Sequence, residues 1–240
     1  MVYKKIVFFL VLAFLLMSTN VFFSKAKVDK VILKSNVLKG NEGINAEEVY
    51  SNLHSANFSL PKLESFKEAL KGFYKLKNQG LVSKNIITLI DFSLSANTKR
   101  LWVIDLDTDT ILLHSLVAHG RNTGDEYANS FSNAPESYKS SLGFYVTGEV
   151  YNGKHGKSLK LDGLEKGIND NARVRGVVMH AADYVSNAFI KFHKRLGRSQ
   201  GCPAIPGEVL KDIVSTIKDK SCLFIYHPSR SLKDIFASAS

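Results

Sequence analysis

Cysteine is nearly missing from this sequence: 240 residues hold only Cys202 and Cys222. No Cys-x-x-Cys, no His-Glu-x-x-His and no clustered His/Asp spacing occurs, so a metal site is unsupported and nothing calls for a cofactor. Long hydrophobic runs are missing too. The strictly apolar run Ile6 to Met17 falls short of the ~20 residues a spanning helix needs. There is no internal repeat and no low-complexity tract. Acids are scarce, 22 against 32 Lys and Arg, which leaves a net charge of +10. At 45% hydrophobic and 22% charged, the chain has a globular rather than a disordered composition, with room for one domain and a smaller appendage.

What is present at the start reads as an address. Lys4 and Lys5 precede the apolar run, and Ser24-Lys25-Ala26 offers a small-x-small cleavage site. Residues 1–26 therefore read as a secretory signal peptide. An uncleaved anchor, extended through Val21-Phe22-Phe23, is the alternative. No Cys follows the run, which argues against lipid attachment. Losing Lys4, Lys5 and Lys25 lowers the charge from +10 to +7. A basic exported chain is drawn to anionic envelope polymers or head groups, although excess lysine also serves plain solubility. The compartment argues against nucleic acid as a partner, and membrane contact is expected only through the signal segment. Oligomeric state is not written in the sequence.

Residues 27–43 are polar and read as a linker. Residues 44–84 read as a helical segment. Asn45 is placed to cap a helix carrying Ala46, Val49, Tyr50 and Leu53, and Pro61 to open a second with Leu63, Phe66, Leu70 and Phe73 on one stripe, stopped by Gly80. These are packing stripes. From 85 to 228 the pattern is that of strands: Ile86–Phe92, Leu101–Leu106, Thr110–Ala118, Gly143–Val150, Val174–Met179 and Cys222–Tyr226. Asp107-Thr108-Asp109 joins the second and third as a hairpin. Two late helices carry Tyr184, Val185, Ala188, Phe189, Phe192 and then Leu210, Ile213, Val214, Ile217. Residues 229–240 form a tail. The expected fold is mainly β with a few helices.

The segment Gly197-Arg198-Ser199-Gln200-Gly201-Cys202-Pro203 lies between those helices, in a loop. Its glycines permit tight turns, the backbone N–H groups of Gly201 and Cys202 are placed for an oxyanion, and Arg195 and Arg198 bring positive charge, which lowers a thiol pKa. Cys222 instead opens an apolar strand and behaves as a buried small hydrophobe. Two cysteines in an oxidising compartment often mean one disulfide, but these contrasting settings argue against pairing. Gly197-x-Ser199-x-Gly201 also spells a nucleophile elbow. An elbow needs a strand entering the serine, and here a helix enters. A nucleophilic Cys needs a base. His180 and His119 end strands, His155 sits in Gly153-Lys154-His155-Gly156, and periodicity leaves the three level. His54 and His193 fall on helices.

At this point a resemblance enters. His180-Ala181-x-x-Tyr184-Val185-Ser186, followed by Leu196-Gly197-Arg198-Ser199-x-Gly201-Cys202-Pro203-Ala204, resembles the active-site signature of a branch of the YkuD-type L,D-transpeptidase catalytic domains. Asp91-Phe92-Ser93, Phe131-Ser132-Asn133, Ser140-Ser141-Leu142-Gly143 and Tyr151-x-Gly153-Lys154-His155-Gly156-x-Ser158-Leu159 match the same branch. The likeness covers roughly residues 60 to 228. It implies a β-sandwich-like domain and Cys202 as nucleophile with His180 as base. The thiol would attack a peptidoglycan stem peptide with loss of D-alanine, and an amine acceptor would then form a cross-link. It also implies Tyr184, Asn133, Ser141, His155, Arg198 and Ser199 as substrate-side residues. Two positions depart from the broader family. Gln200 stands where His is common and cannot act as a base. Ala204 stands where Arg is common, which leaves Arg198, Arg173 or Arg175 to meet a substrate carboxylate. Ala181 offers only its carbonyl to orient the His180 ring. An L,D-carboxypeptidase using the same site, and a non-catalytic basic envelope-binding protein, are the competing functions.

Overall fold

The computed structural model describes residues 45–154 and 156–230. Residues 1–44, which hold the expected signal segment and linker, together with His155 and residues 231–240 of the expected tail, lie outside the described residues. Four helices and eight strands are present among those described. The helices are α1 (Ala46–Ser51), α2 (Leu63–Asn78), α3 (Asn187–His193) and α4 (Gly207–Ile217). The strands are β1 (Ile86–Asp91), β2 (Leu101–Asp105), β3 (Thr110–Ser115), β4 (Gly143–Gly153), β5 (Gly156–Gly163), β6 (Val178–Ala181), β7 (Ala204–Ile205) and β8 (Cys222–Tyr226).

All eight strands join one sheet in the order β3-β2-β1-β8-β4-β5-β6-β7. The last strand in sequence is thus central, parallel to β1 and antiparallel to β4. All five of its residues are buried, which requires cover on both faces. On one face Leu223 and Ile225 join Ile90, Leu101, Val103, Leu159, Leu161, Met179 and Ile205 under Ile213, Val214 and Ile217 of α4. On the other, Phe224 stacks on Phe144 at 4.1 Å. There α2 lies so close that a Cβ on Gly72 would sit 1.9 Å from the Phe144 ring. The α2 stripe Phe66, Leu70 and Phe73 is buried as its spacing requires.

The sheet also meets itself. The chain leaving β3 at one edge bridges β7 at the other, with the Ala118 N–H donating to the Ala204 carbonyl at 2.8 Å. Strands from both halves therefore enclose a common core, in the mainly β, sandwich-like architecture expected.

Several elements differ in extent from the sequence reading. β6 begins at Val178 rather than Val174, because Asn169 to Gly176 form successive turns and Gly176 takes a φ of +65°. Val174 consequently stands 85% exposed. His180 lies inside β6, paired with Ser158 of β5 and Ala204 of β7, and does not follow a strand end. β5 and β7 are additional strands. α3 starts only at Asn187, where the Ser186 hydroxyl accepts from the Phe189 N–H.

Candidate active site

The loop between α3 and β7 is fixed before it reaches Cys202. The left-handed Lys194 ends α3, and Leu196 buries against Ala118, Val185 and Ala204. Ser199 is paired through its backbone to the strand-end segment opposite: its N–H donates to the His119 carbonyl at 2.9 Å, and its carbonyl accepts from Arg121 at 2.8 Å. Its hydroxyl then donates to the Cys202 carbonyl at 2.6 Å and accepts from the Gly201 N–H at 3.0 Å. Gly201 holds a φ of +124°, where an added Cβ would lie 2.8 Å from the Lys139 carbonyl. The pair of oxyanion donors expected from sequence is thus altered. The Ser199 hydroxyl closes a local turn by taking the Gly201 N–H, so the Cys202 N–H is the member of that pair not committed to Ser199.

Cys202 is half-buried and Cys222 fully buried, and both are free thiols, so no disulfide joins them. The Cys202 sulfur accepts from the Val178 N–H at 3.4 Å and donates to the Gly176 carbonyl at 3.7 Å. Burial pushes the thiol above its ordinary value, while the Val178 N–H and the Arg175 guanidinium pull it back. Burial alone raises Cys222 much further. The charge acting on Cys202 therefore comes from Arg175, not from Arg195 or Arg198. Arg198 is turned toward Asp125 at 2.6 Å and the Gly124 carbonyl at 3.0 Å. Arg173 is spent on Asp162 and Glu149.

Cys202 opens into a cleft of about 560 Å³ that His180, Tyr184, Arg198 and Ser199 also line. The His180 Nδ1 lies 2.9 Å from the Ala181 carbonyl. A carbonyl only accepts, so Nδ1 is the donor in this contact, and in a neutral ring with that proton Nε2 is the basic nitrogen. His119 is excluded from such a role. It is wholly buried, and its Nδ1 accepts from Arg100 at 2.8 Å while Nε2 donates to the Gly124 carbonyl at 3.2 Å. Burial, then the Arg100 charge, lowers its pKa to about 4. His54 lies after α1 in an isolated bridge to Thr110 rather than on a helix. Burial first, and Cys202 second, push the Tyr184 phenol up to about 12, so it is a neutral donor at physiological pH.

Asn133 and Ser141 stand behind the cleft. Asn133 donates to Asp170 at 2.6 Å and accepts from the Asn171 N–H at 3.2 Å. Ser141 donates to the Ser132 carbonyl at 2.8 Å and accepts from Arg175 at 2.6 Å. The walls include two residues that sequence reasoning did not single out, Glu136 and Tyr138, and three that it quoted only within the resemblance, Tyr151, Lys154 and Ser158. For Ser158 the signal was readable, since Ser158-Leu159-Lys160-Leu161 alternates and places β5 beside the His180 strand. Among the described residues no cluster of His, Cys, Asp or Glu is placed to hold a metal ion.

Comparison with curated protein sequences finds no significant match. Solved structures to which the chain is similar include an L,D-transpeptidase from Mycobacterium smegmatis, at 10% identity and a TM-score of 0.37, covering 60% of this chain and 59% of that one. An L,D-transpeptidase from Xylanimonas cellulosilytica is 10% identical, with a TM-score of 0.35 and coverage of 60% and 61%. L,D-transpeptidase 1 of Mycobacterium tuberculosis is 10% identical, with a TM-score of 0.35 and coverage of 60% and 63%. The chain thus spans about three fifths of the length of these proteins. Residues 57–226, most of the chain, match the family model YkuD_2, described as an L,D-transpeptidase catalytic domain. The chain belongs to the L,D-transpeptidase catalytic domain family.

Proposed function

We propose that the protein is an exported, peptidoglycan-remodelling cysteine acyltransferase in which Cys202 is the nucleophile and His180 its base. The observation that carries this reading is a thiol on a clamped, glycine-containing loop that shares a cleft with a histidine whose Nδ1–H is held by the Ala181 carbonyl. In the proposed reaction Nε2 of His180 takes the thiol proton. The sulfur attacks the carbonyl between the third stem residue and the D-alanine after it. The Cys202 N–H faces the oxyanion. Collapse expels the D-alanine amine, which receives the proton back from the imidazolium, and a thioester remains. An amine of a second stem then attacks the thioester and gives its proton to His180. The thiolate leaves, and a new amide forms the cross-link. Lys154 and Arg175 give the cleft a positive bias suited to the carboxylates of a stem peptide.

Digestion of purified peptidoglycan, followed by mass analysis, tests the reading. Cross-linked dimers with released D-alanine are the expected products. Tripeptides without dimers would assign the protein to trimming, and unchanged material would assign it to binding alone. Cys202→Ser is expected to abolish turnover. His180→Ala is expected to slow it by roughly 10²–10⁴-fold, with partial recovery at high pH where the thiol ionises unaided. Export is tested by N-terminal sequencing of the envelope fraction. A chain beginning near Lys27 is expected, and Met1 would indicate an anchor.

A further inference from the structure

Three arginines face carboxylates: Arg173 meets Asp162, Arg198 meets Asp125, and Arg230 meets Glu165. Arg175 does not, among the described residues. It reaches in from the turn that precedes β6, and Nη2 lies 3.4 Å from where a Cβ of Gly201 would be. The guanidinium thus stands beside the nucleophile loop.

The four hydrogen bonds of Arg175 go to one segment and to neutral acceptors. Nη1 donates to the Ser132 carbonyl at 3.0 Å and to the Ser141 hydroxyl at 2.6 Å. Nη2 donates to the Lys139 carbonyl at 2.7 Å and to the Ser137 hydroxyl at 3.4 Å. That segment forms one wall of the cleft through Glu136 and Tyr138, which hold φ of +56° and +55°. Such backbone persists only where the surroundings over-determine it, and it gathers at functional sites. Neutral acceptors hold a cation without cancelling its charge, whereas a carboxylate would quench its field.

We propose that Arg175 is a positioning residue with two linked duties: its charge sets the ionisation of the Cys202 thiol, and its fork holds the strained 132–141 wall against the nucleophile loop. This rests on the reading of Cys202 as nucleophile. The other titratable side chains lining the cleft are His180 on β6, Tyr184 after it, Arg198 on the loop itself, Tyr151 and Lys154 on the β4 side, and Glu136 and Tyr138 on the pinned wall. Of these residue types only imidazole ordinarily changes charge between pH 5 and 8, and His180 is unchanged in every variant below.

The test is the rate of Cys202 alkylation by iodoacetamide against pH, read by peptide mass analysis on the full chain. Arg175→Gln keeps amide donors for the wall but removes the charge. Arg175→Lys keeps the charge and loses the fork. A nearby opposite charge shifts a titrating group by roughly 1–3 units, so Arg175→Gln should react about tenfold more slowly near pH 7, with the high-pH plateau retained. Arg175→Lys should keep its midpoint within about half a unit of the parent. A Gln profile that overlays the parent overturns the proposal. So does an equal displacement of Gln and Lys, which would leave Arg175 a structural role only. If the Gln variant does not fold, the Lys midpoint decides alone, and a displacement of about one unit overturns the proposal. Failure of the nucleophile reading looks different: the folded parent would then be alkylated at Cys222 before Cys202, or Cys202→Ala would retain turnover.

Discussion

Lowering the pH toward 4.5 offers His119 a proton that its surroundings refuse. The ring is wholly buried, Nδ1 faces the Arg100 guanidinium, and Nε2 already donates to the Gly124 carbonyl. Protonation would put two cations in contact inside the fold. Arg100 is itself buried, and its other bonds go to the carbonyls of Leu94 and Val117. Folded His119 therefore titrates at about 4 against an ordinary 6.5, driven first by burial and then by Arg100. The sign follows from linkage. Between those two values the unfolded chain binds the proton and the folded chain does not, so stability falls as pH drops from about 6.5 toward 4. From pH 7 to pH 4.5 this one ring costs about 2 kcal/mol, a large share of the ~5–15 kcal/mol of a typical domain. Urea unfolding at the two pH values measures it. His114 and His227 are also lowered by burial and add in the same direction. The isolating comparison is therefore His119→Gln. Its amide oxygen can accept from Arg100 and its NH₂ can donate to Gly124, but it does not titrate. The variant should lose roughly 1 kcal/mol at pH 7 and should show a pH dependence flatter than the parent by about 2 kcal/mol. Parallel pH profiles for parent and variant would refute the neutral Nε2–H assignment.

Three further outcomes are expected. Gly201→Ala meets the Lys139 carbonyl at 2.8 Å in a backbone conformation with φ of +124°, so it should cost at least ~1–3 kcal/mol of stability in a thermal melt and should abolish turnover. Arg230→Met leaves Glu165 and Glu68 facing each other without the cation that now binds both, and should destabilise by about 3–5 kcal/mol in urea, with activity retained below the transition. Asn133→Ala should lower the melting temperature by removing the ties to Asp170 and Asn171, yet leave turnover near normal. A loss of turnover without a loss of stability would return Asn133 to the substrate side.

The strongly patterned elements were legible in the sequence. β1, β2 and β8 are dense in β-branched and aromatic residues. The stripes of α2 and α4 recur at helical spacing, and the polar, glycine-containing setting separated Cys202 from Cys222. What escaped was short or was determined from elsewhere in the chain. β7 has two residues between Pro203 and Pro206, too few for any period to register. Arg173-Val174-Arg175 alternates like a strand, but the turn ending at the left-handed Gly176 places it outside the sheet, with Val174 in solvent. Arg175 could not be chosen over Arg198 because the choice depends on partners about 35 to 75 residues away: the 132–141 wall for one, Asp125 for the other. The ranking of His119 against His180 likewise waited on Arg100, whose guanidinium occupies the His119 ring.

The central seat of β8 bears on when the proposed nucleophile is enclosed in its cleft. Ile87 pairs with Cys222 across more than half of the chain, and the loop bearing Cys202 is stitched to residues 118–121 only once the two sheet edges meet. Contacts this distant in sequence form late and slowly, because the intervening loop must be closed first. A chain still emerging from synthesis, or one truncated before residue 222, lacks the strand that joins β1 to β4. Its cysteine would be an ordinary flexible thiol. On the proposed reading, catalytic competence at Cys202 therefore waits on completion of the fold, and a partly made or clipped molecule carries a thiol without the cleft around it.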